Sequence, residues 1–452
     1  MNDQQDSAID RVRGADRIAS IDVVRGIAIL FILFMNIPDM GGYQFELHDP
    51  RFPSWTSLDA AAFWAQQTLF NGTQRGLLEL LFGAGIMIMA RRAMAADGPV
   101  AVADLHYRRN LWLCAFGLAN AFVLLWFGDI LLTYGIAAVF LFPFRKLSAR
   151  AQMGFAALMI GTLVTVSASD FHESRVRYAT VARVAAAQAA HQKVSAEDQK
   201  VAKKFAERSA ALRQPMKDKE TVKKVREYYA AHHGSFAQYW QAQAGDWTAL
   251  MSYFWYIEAE ILGTMLIGMA FYQWGIIQGQ AQTSTYWIML ILGYGIGIGS
   301  RGTLNWELLK FEPGLYWQNV IPDIDRLAVT FGHLAAIHLA LRSRAGRVLL
   351  KPFEAAGRMP LSVYLFTSLL MMWIVFAPWG FAMFGKWSFA QMIGVAAATI
   401  AVEIIAANWW MARFDNGPME WLWKSLAYQR REPFRKALPA GTGAPPGMVP
   451  AV

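Results

Sequence analysis

Long apolar runs, separated by short polar segments, dominate the pattern of this chain. A helix needs about 20 predominantly apolar residues to cross a bilayer, because it rises about 1.5 Å per residue. By that criterion the pattern predicts about ten membrane-spanning helices, so the fold class is an all-α polytopic membrane bundle. The predicted spans are 20–38, 76–93, 109–127, 129–145, 151–169, 247–273, 284–300, 317–341, 359–379 and 388–411.

One region interrupts this pattern. Residues 170–246 are rich in Ala, Lys, Gln and Glu and contain long stretches without glycine. This composition predicts a helical hairpin that projects from the membrane. The chain then divides into a polar N-terminal segment 1–16, a first half 17–169, the insertion, a second half 247–412 and a polar tail 413–452, with five spans in each half.

Basic residues mark one side of the predicted membrane. They cluster near the N-terminus, in alternate loops and in the tail, for example at Arg13, Arg91, Arg108, Lys146, Arg344 and Arg430. The positive-inside rule therefore predicts that both termini are cytoplasmic and that the insertion lies on the opposite side. These loops also account for the net charge of +9, so the sequence predicts no nucleic-acid partner.

Composition and motifs exclude several function classes. Only 17% of the residues are charged, against about a quarter in soluble proteins. The single cysteine, Cys114, excludes an intramolecular disulfide, and we expect no metal site. The glycines at 83–85 and 293–299 lie inside apolar spans and predict close helix packing rather than a phosphate-binding loop. An ATP-driven pump is therefore not indicated.

The first two spans carry charged and polar residues. Asp22 and Arg25 are three residues apart, and Arg75 and Glu79 are four apart, so each pair shares one face of a helix. Asn36 lies near the end of the first span. Ionisable residues inside a membrane helix are costly and often functional. The same pairs could instead anchor helices at the headgroup boundary, and the sequence leaves both interpretations open.

The predicted outer loops contain further candidate residues. His48 lies in the loop 39–75, and its near-neutral pKa suits a general base. It could equally be a solvated loop histidine. Asn120 and Asp129 lie near the outer boundary, on either side of a tight turn. Asp129 is placed to cap the following helix, to take part in chemistry, or both.

The eighth span carries a polar stripe. Its members recur at steps of three, four and three residues, which places them on one helix face: Asp323, Arg326, Thr330 and His333. The stripe predicts either a polar contact between helices or the lining of a ligand channel.

The ninth span begins at an arginine. Arg358 is expected at the cytoplasmic mouth, with Tyr364 deeper in the span. The planar guanidinium binds phosphate oxygens bidentately, and it also anchors helices at interfaces.

Six segments, in order along the chain, resemble the bacterial YeiB family, whose members carry a domain of unknown function. The resemblance extends from about residue 17 to residue 436 and rests on residues 17–36, 72–85, 126–135, 263–268, 357–364 and 417–423. It implies a multi-pass protein of the bacterial inner (cytoplasmic) membrane.

The first span and its loop also resemble the multi-pass membrane acyltransferases of the heparan-alpha-glucosaminide N-acetyltransferase type. The matching positions are Asp22, Arg25, Gly26, Asn36, Gly41, Gly42, Tyr43, His48 and Trp55. The resemblance implies transfer of an acyl group from acetyl-CoA, as co-substrate, to a hydroxyl or amine across the bilayer. It implies His48 as catalytic base, oriented by Asn36 or Asp129, and a donor site with Arg25, Arg358 and Tyr364. The expected acceptor-side residues are Asp22, Arg75, Glu79, Asn120, Arg326 and His333.

The sequence therefore favours an integral membrane acyltransferase that acts on an envelope glycan, lipid or small molecule. Two alternatives stay open. Asp323, Arg326 and His333, together with Glu258 and Glu260, could line the path of a transporter. The insertion could instead serve an envelope scaffold. The bilayer and a glycan or small-molecule acceptor are the expected partners, and a homodimer is left open.

Overall fold

The computed structural model describes residues 19–42, 56–90, 100–213, 219–310 and 312–435. Helices contain 82% of the described residues, and these residues form no β-strand. The catalytic residue predicted at His48 lies outside the described residues, as do Tyr43 and Trp55.

Every predicted span overlaps at least one helix of the structure. In chain order the α-helices are α1 Ala19–Gly41, α2 Ser57–Ala65, α3 Thr73–Ala90, α4 Val100–Phe122, α5 Leu131–Leu141, α6 Ala149–Ala189, α7 Ala196–Arg213, α8 Lys219–His232, α9 Phe236–Met251, α10 Phe254–Gln273, α11 Thr283–Leu308, α12 Pro322–Arg342, α13 Arg344–Leu350, α14 Phe353–Arg358, α15 Pro360–Leu369, α16 Phe389–Arg413 and α17 Pro418–Tyr428. Among the described residues, five helices are long and apolar enough to cross a membrane, judged by length and composition: α1, α6, α10, α12 and α16.

The insertion is continuous with the bundle helices. Helix α6 runs for 41 residues, about 60 Å, and passes the predicted end of its span at residue 169. The apolar run stops there, but the following 20 residues contain no glycine or proline that would end the helix. The predicted boundary at residue 170 therefore falls inside α6, and the boundary at residue 246 falls inside α9.

The insertion contains two packed helix pairs. Arg183 on α6 forms an ion pair of 3.1 Å with Asp198 on α7. Helices α8 and α9 pack on each other, and the Tyr228 hydroxyl donates a hydrogen bond of 2.8 Å to Asp246. The ring of His232 stacks on Phe384, which follows α15, with centroids 4.1 Å apart. The second pair is thereby attached to one end of the bundle.

Glycines bring the main chains of the bundle helices into contact. A Cβ atom on Gly83 would collide with the carbonyl of Met265, and one on Gly268 would collide with the carbonyl of Leu80. These two glycines let α3 and α10 approach backbone to backbone, as small residues do in membrane bundles. The close approach brings the charged side chains of the two helices together.

Candidate functional site

A buried network of charges joins α3, α10 and α12. Arg326 on α12 lies 2.8 Å from Glu260 on α10 and 3.4 Å from Glu79 on α3. Arg75 on α3 lies 3.3 Å from Glu79 and also forms an ion pair with Glu260. The two arginines and two glutamates therefore alternate, so that each charge contacts two of opposite sign. We call these four residues the ion network.

Further donors and acceptors surround the ion network. Arg326 donates hydrogen bonds to the Thr264 hydroxyl at 3.2 Å and to the Gly72 carbonyl at 3.4 Å. Asp323 lies 4.0 Å from Arg326 and accepts a hydrogen bond of 2.9 Å from Tyr256. A buried ion pair is stable only when hydrogen bonds satisfy its remaining donors and lone pairs. These bonds satisfy part of the network, whereas Nε of Arg75, Nε of Arg326 and Oε1 of Glu79 have no hydrogen-bond partner among the described residues.

Two glycines allow Arg326 to reach this position. Gly72 has a φ of +74°, and a Cβ atom there would lie 2.8 Å from Cδ of Arg326. A Cβ atom on Gly76 would lie 2.6 Å from Oγ1 of Thr330. The sequence Gly72-Thr-Gln-Arg-Gly76 therefore provides a flat surface against which α12 packs.

The polar stripe of α12 faces this surface along its length. The Thr330 hydroxyl donates to the Thr73 carbonyl at 3.2 Å. His333 lies with Nε2 2.8 Å from the Leu69 carbonyl and Nδ1 2.8 Å from the Tyr294 hydroxyl. Both ring nitrogens of His333 are therefore engaged, which fits a neutral histidine that joins helices.

A second polar cluster surrounds the turn between α4 and α5. The Asn120 amide donates to Asp129 Oδ1 at 2.8 Å, and Asp129 Oδ2 accepts from the Leu132 amide at 3.0 Å, so Asp129 caps α5. The Tyr364 hydroxyl on α15 accepts from the Ile130 amide at 3.3 Å. We call Asn120, Trp126, Asp129 and Tyr364 the Tyr364 cluster.

The Tyr364 cluster is buried and polar. Asn120 is 0% and Trp126 is 2% exposed. Oδ1 of Asn120 and Nε1 of Trp126 have no hydrogen bond of ordinary geometry among the described residues. Both side chains nevertheless interact with the Tyr364 hydroxyl. This hydroxyl is therefore the point at which the polar groups of the cluster converge.

A third group lies where α1 crosses α14. Arg25 forms an ion pair of 2.9 Å with Asp22, three residues earlier, and donates to the Gly357 carbonyl at 3.1 Å. The guanidinium of Arg25 therefore lies beside the residue that precedes Arg358. Gly26 and Gly357 make this crossing possible, since a Cβ atom on either would collide with the other helix. We call Asp22, Arg25 and Arg358 the α1–α14 crossing.

Most of the predicted site residues fall into three groups, whereas Asn36 belongs to none of them and His48 lies outside the described residues. His333 lies on the stripe that contains Arg326, and Asn36 is buried near the end of α1. The Tyr134 hydroxyl, on the helix that Asp129 caps, donates to the Arg75 carbonyl at 3.1 Å. This bond links the ion network to the helix that begins at the Tyr364 cluster.

Several contributing residues were not predicted, among them Trp126, Tyr256, Thr264 and Glu420. Thr264 is uncharged and joins the ion network only because it lies one turn after Glu260. Glu420 accepts hydrogen bonds from the amides of Leu361 at 2.6 Å and Ser362 at 3.1 Å, and so caps the start of α15. The only sequence signal for Glu420 is its place in one of the six segments that resemble the YeiB family.

Known proteins resemble this chain over most of its length. A family described as "Protein of unknown function (DUF418)" matches residues 271–430. The uncharacterized protein YxaH of Bacillus subtilis (strain 168) is 26% identical over 440 residues, which cover 93% of this chain and 96% of that protein. The uncharacterized protein YeiB of Escherichia coli (strain K12) is 23% identical over 432 residues, which cover 92% and 98%. No solved structure matches significantly. Over most of its length, the chain is therefore similar to the YeiB-like proteins.

Proposed function

We propose that this protein is an integral membrane acyltransferase, which moves an acyl group, most simply acetyl, from acyl-CoA to an envelope glycan, lipid or small molecule. In this proposal about ten helices span the bacterial inner membrane and both termini are cytoplasmic. The observation that carries the proposal is the course of α15. This helix begins beside the α1–α14 crossing and continues to the Tyr364 cluster.

The donor side of the proposal rests on Arg25 and Arg358. Arg25 contacts the Gly357 carbonyl, and Arg358 is the next residue along the chain. Guanidinium groups bind phosphate oxygens through paired, charge-assisted hydrogen bonds. Basic residues in the adjacent 342–351 segment add to the positive charge on this side. A nucleotide portion of acyl-CoA is the ligand that fits this chemistry.

The acceptor side rests on the Tyr364 cluster. Tyr364 lies four residues after Pro360, where α15 begins, which is about 6 Å along that helix and within the length of a pantetheine arm. Asn120 Oδ1 and Trp126 Nε1 are polar atoms of the cluster that could orient the thioester or the acceptor. The ion network holds the surrounding helices in place.

The proposed reaction is a simple acyl transfer. The acceptor oxygen or nitrogen attacks the thioester carbonyl, the carbon–sulfur bond breaks, and CoA leaves as the thiolate. His48 takes the proton that the acceptor loses and then returns it to the thiolate. Such proton transfer by a positioned imidazole typically contributes 10²–10⁴ in rate.

Calorimetry on purified protein in detergent tests the donor site. We expect saturable binding of acetyl-CoA that is weakened at least tenfold by Arg358→Ala, about 1.4 kcal/mol. Arg208→Ala is the matched control, because Arg208 is an exposed arginine of α7 in the insertion. Absence of binding at millimolar acetyl-CoA would reject the proposal, and equal loss in both variants would reject this donor site.

A transporter is the second candidate, favoured by the ion network itself. Intramembrane charges on three helices often mark the path of an ion or solute. This function predicts flux in proteoliposomes that is reduced by His333→Gln and unchanged by His48→Ala. Transfer that needs His48, with no flux, would instead favour the acyltransferase.

A further inference from the structure

Two glutamates of α10 lie in opposite environments. Glu260 contacts both arginines of the ion network. Glu258, two residues earlier, faces another part of the bundle, where neither of its carboxyl oxygens has a hydrogen-bond partner among the described residues. Its exposure is nevertheless only 4%. Glu258 is therefore a buried acidic group that the ion network does not use.

The surroundings of Glu258 contain no compensating charge in the described part of the chain. Helices α3 and α5 direct Arg75, Glu79 and Tyr134 to the Glu260 side. On the other side, Glu258 acts electrostatically on Cys114 of α4, as does Asp129. Neither of these groups is a cation, so neither would stabilise an ionised Glu258.

The helix that carries Glu258 does not compensate its charge either. Helix α10 begins at Phe254, so Glu258 lies beyond the first turn, where the favourable helix dipole has largely faded. A bare carboxylate in such a site is very costly, and the group becomes neutral by binding a proton.

A proton is the ligand that fits this site. Metal cations such as Ca²⁺ need six or more oxygen ligands. Among the described residues, no group of three or more His, Cys, Asp or Glu side chains could hold a metal ion. A single carboxyl group is sufficient for a proton.

We propose that Glu258 is a proton-binding site, a neutral carboxylic acid that exchanges its proton through the nearby start of α10. About one turn away, Tyr253 is 67% and Trp255 is 82% exposed, so the start of α10 lies at the periphery of the bundle. This site is independent of the proposed acyl transfer.

Infrared difference spectroscopy tests this proposal. The spectrum of the wild-type protein minus that of Glu258→Gln, at neutral pH, should contain the carbonyl band of a protonated carboxylic acid, and the band should shift to lower frequency in D₂O. Glu260→Gln is the matched control, since that residue is ion-paired and its difference spectrum should lack the band.

Every other result overturns the proposal. Absence of the band means that Glu258 is ionised, and a band that does not shift in D₂O means that its proton does not exchange. Glutamine is the neutral isostere of a protonated glutamate, so failure of Glu258→Gln to fold would also contradict a neutral Glu258. On the wild-type protein, the hydrophobic reagent dicyclohexylcarbodiimide should modify Glu258 and spare Glu260, as read by mass spectrometry.

Discussion

The ion network and the Tyr364 cluster are both buried, yet they join their helices by different interactions. In the ion network, Arg326 alone contacts Glu79, Glu260 and Thr264. In the Tyr364 cluster, hydrogen bonds of Asn120 and of the Ile130 amide take the place of ion pairs between helices. Both regions contain side-chain atoms without a hydrogen-bond partner among the described residues. Removing one charge from a buried ion pair costs more than removing one neutral hydrogen bond, so we expect the first region to contribute more to stability.

The largest expected effect comes from breaking the ion network. Arg326→Leu leaves two buried carboxylates without one of their two cations, so we expect the free energy of unfolding to fall by about 3–5 kcal/mol. Thermal unfolding in detergent measures this loss. Arg344→Leu is the control and should leave the midpoint unchanged. A midpoint within a degree or two of the wild type for Arg326→Leu would show that the network does not stabilise the bundle.

A smaller effect is expected from the contact that brings α3 and α10 together. The added methyl of Gly83→Ala collides with the Met265 carbonyl, and such overpacking typically costs about 1–3 kcal/mol. Gly85→Ala is the matched control, because nothing lies within 4 Å of its Cβ position. Thermal midpoints should fall for the first variant and stay equal or rise for the second. The opposite order would refute this packing contact.

The insertion contains a buried histidine, His232, whose burial should make the stability of the protein depend on pH. Burial lowers the pKa of His232 to about 4, from an ordinary value of 6.5. The unfolded chain then binds more protons between these values, so stability is full above pH 6.5 and falls as the pH decreases towards 4. The expected loss at pH 5 is about 2 kcal/mol. His232→Phe should flatten this dependence in unfolding experiments from pH 7.5 to 5, and an unchanged slope would contradict a neutral buried His232.

The smallest effect on stability is expected in the Tyr364 cluster. Tyr364→Phe removes the acceptor of one hydrogen bond from the Ile130 amide, a change of about 1 kcal/mol. The proposed acyl transfer should nevertheless fall at least tenfold, because the proposal places a reacting group at this cluster. Tyr286→Phe, which also removes one buried tyrosine hydroxyl, is the control that should keep its activity. Equal losses of activity in both variants would mean that the cluster is only structural.

Local spacing along the sequence predicts the contacts within one helix. Asp22 with Arg25, and Arg75 with Glu79, form ion pairs at the separations that a helix dictates. Contacts between helices, such as Arg75 with Glu260, depend on which helices are neighbours and on their rotation. A single sequence does not encode these directly, so the ion network could be predicted only in pieces.

The ends of helices are also difficult to predict from the sequence. Hydropathy locates the end of an apolar run, whereas α6 continues to Ala189 because nothing breaks it. The first loop is a different case, since the predicted catalytic residue His48 lies outside the described residues. The evidence for its role is the sequence pattern, and only an activity measurement can test it.

The most direct measurement of the central claim is the transfer of a radiolabelled acetyl group from acetyl-CoA. Purified protein in proteoliposomes is supplied with envelope extracts as acceptors. The acyltransferase account predicts that label enters the glycan, lipid or small-molecule fraction with the wild-type protein, and that His48→Ala abolishes the transfer. Label that never leaves acetyl-CoA, or transfer that is unchanged in His48→Ala, would contradict it.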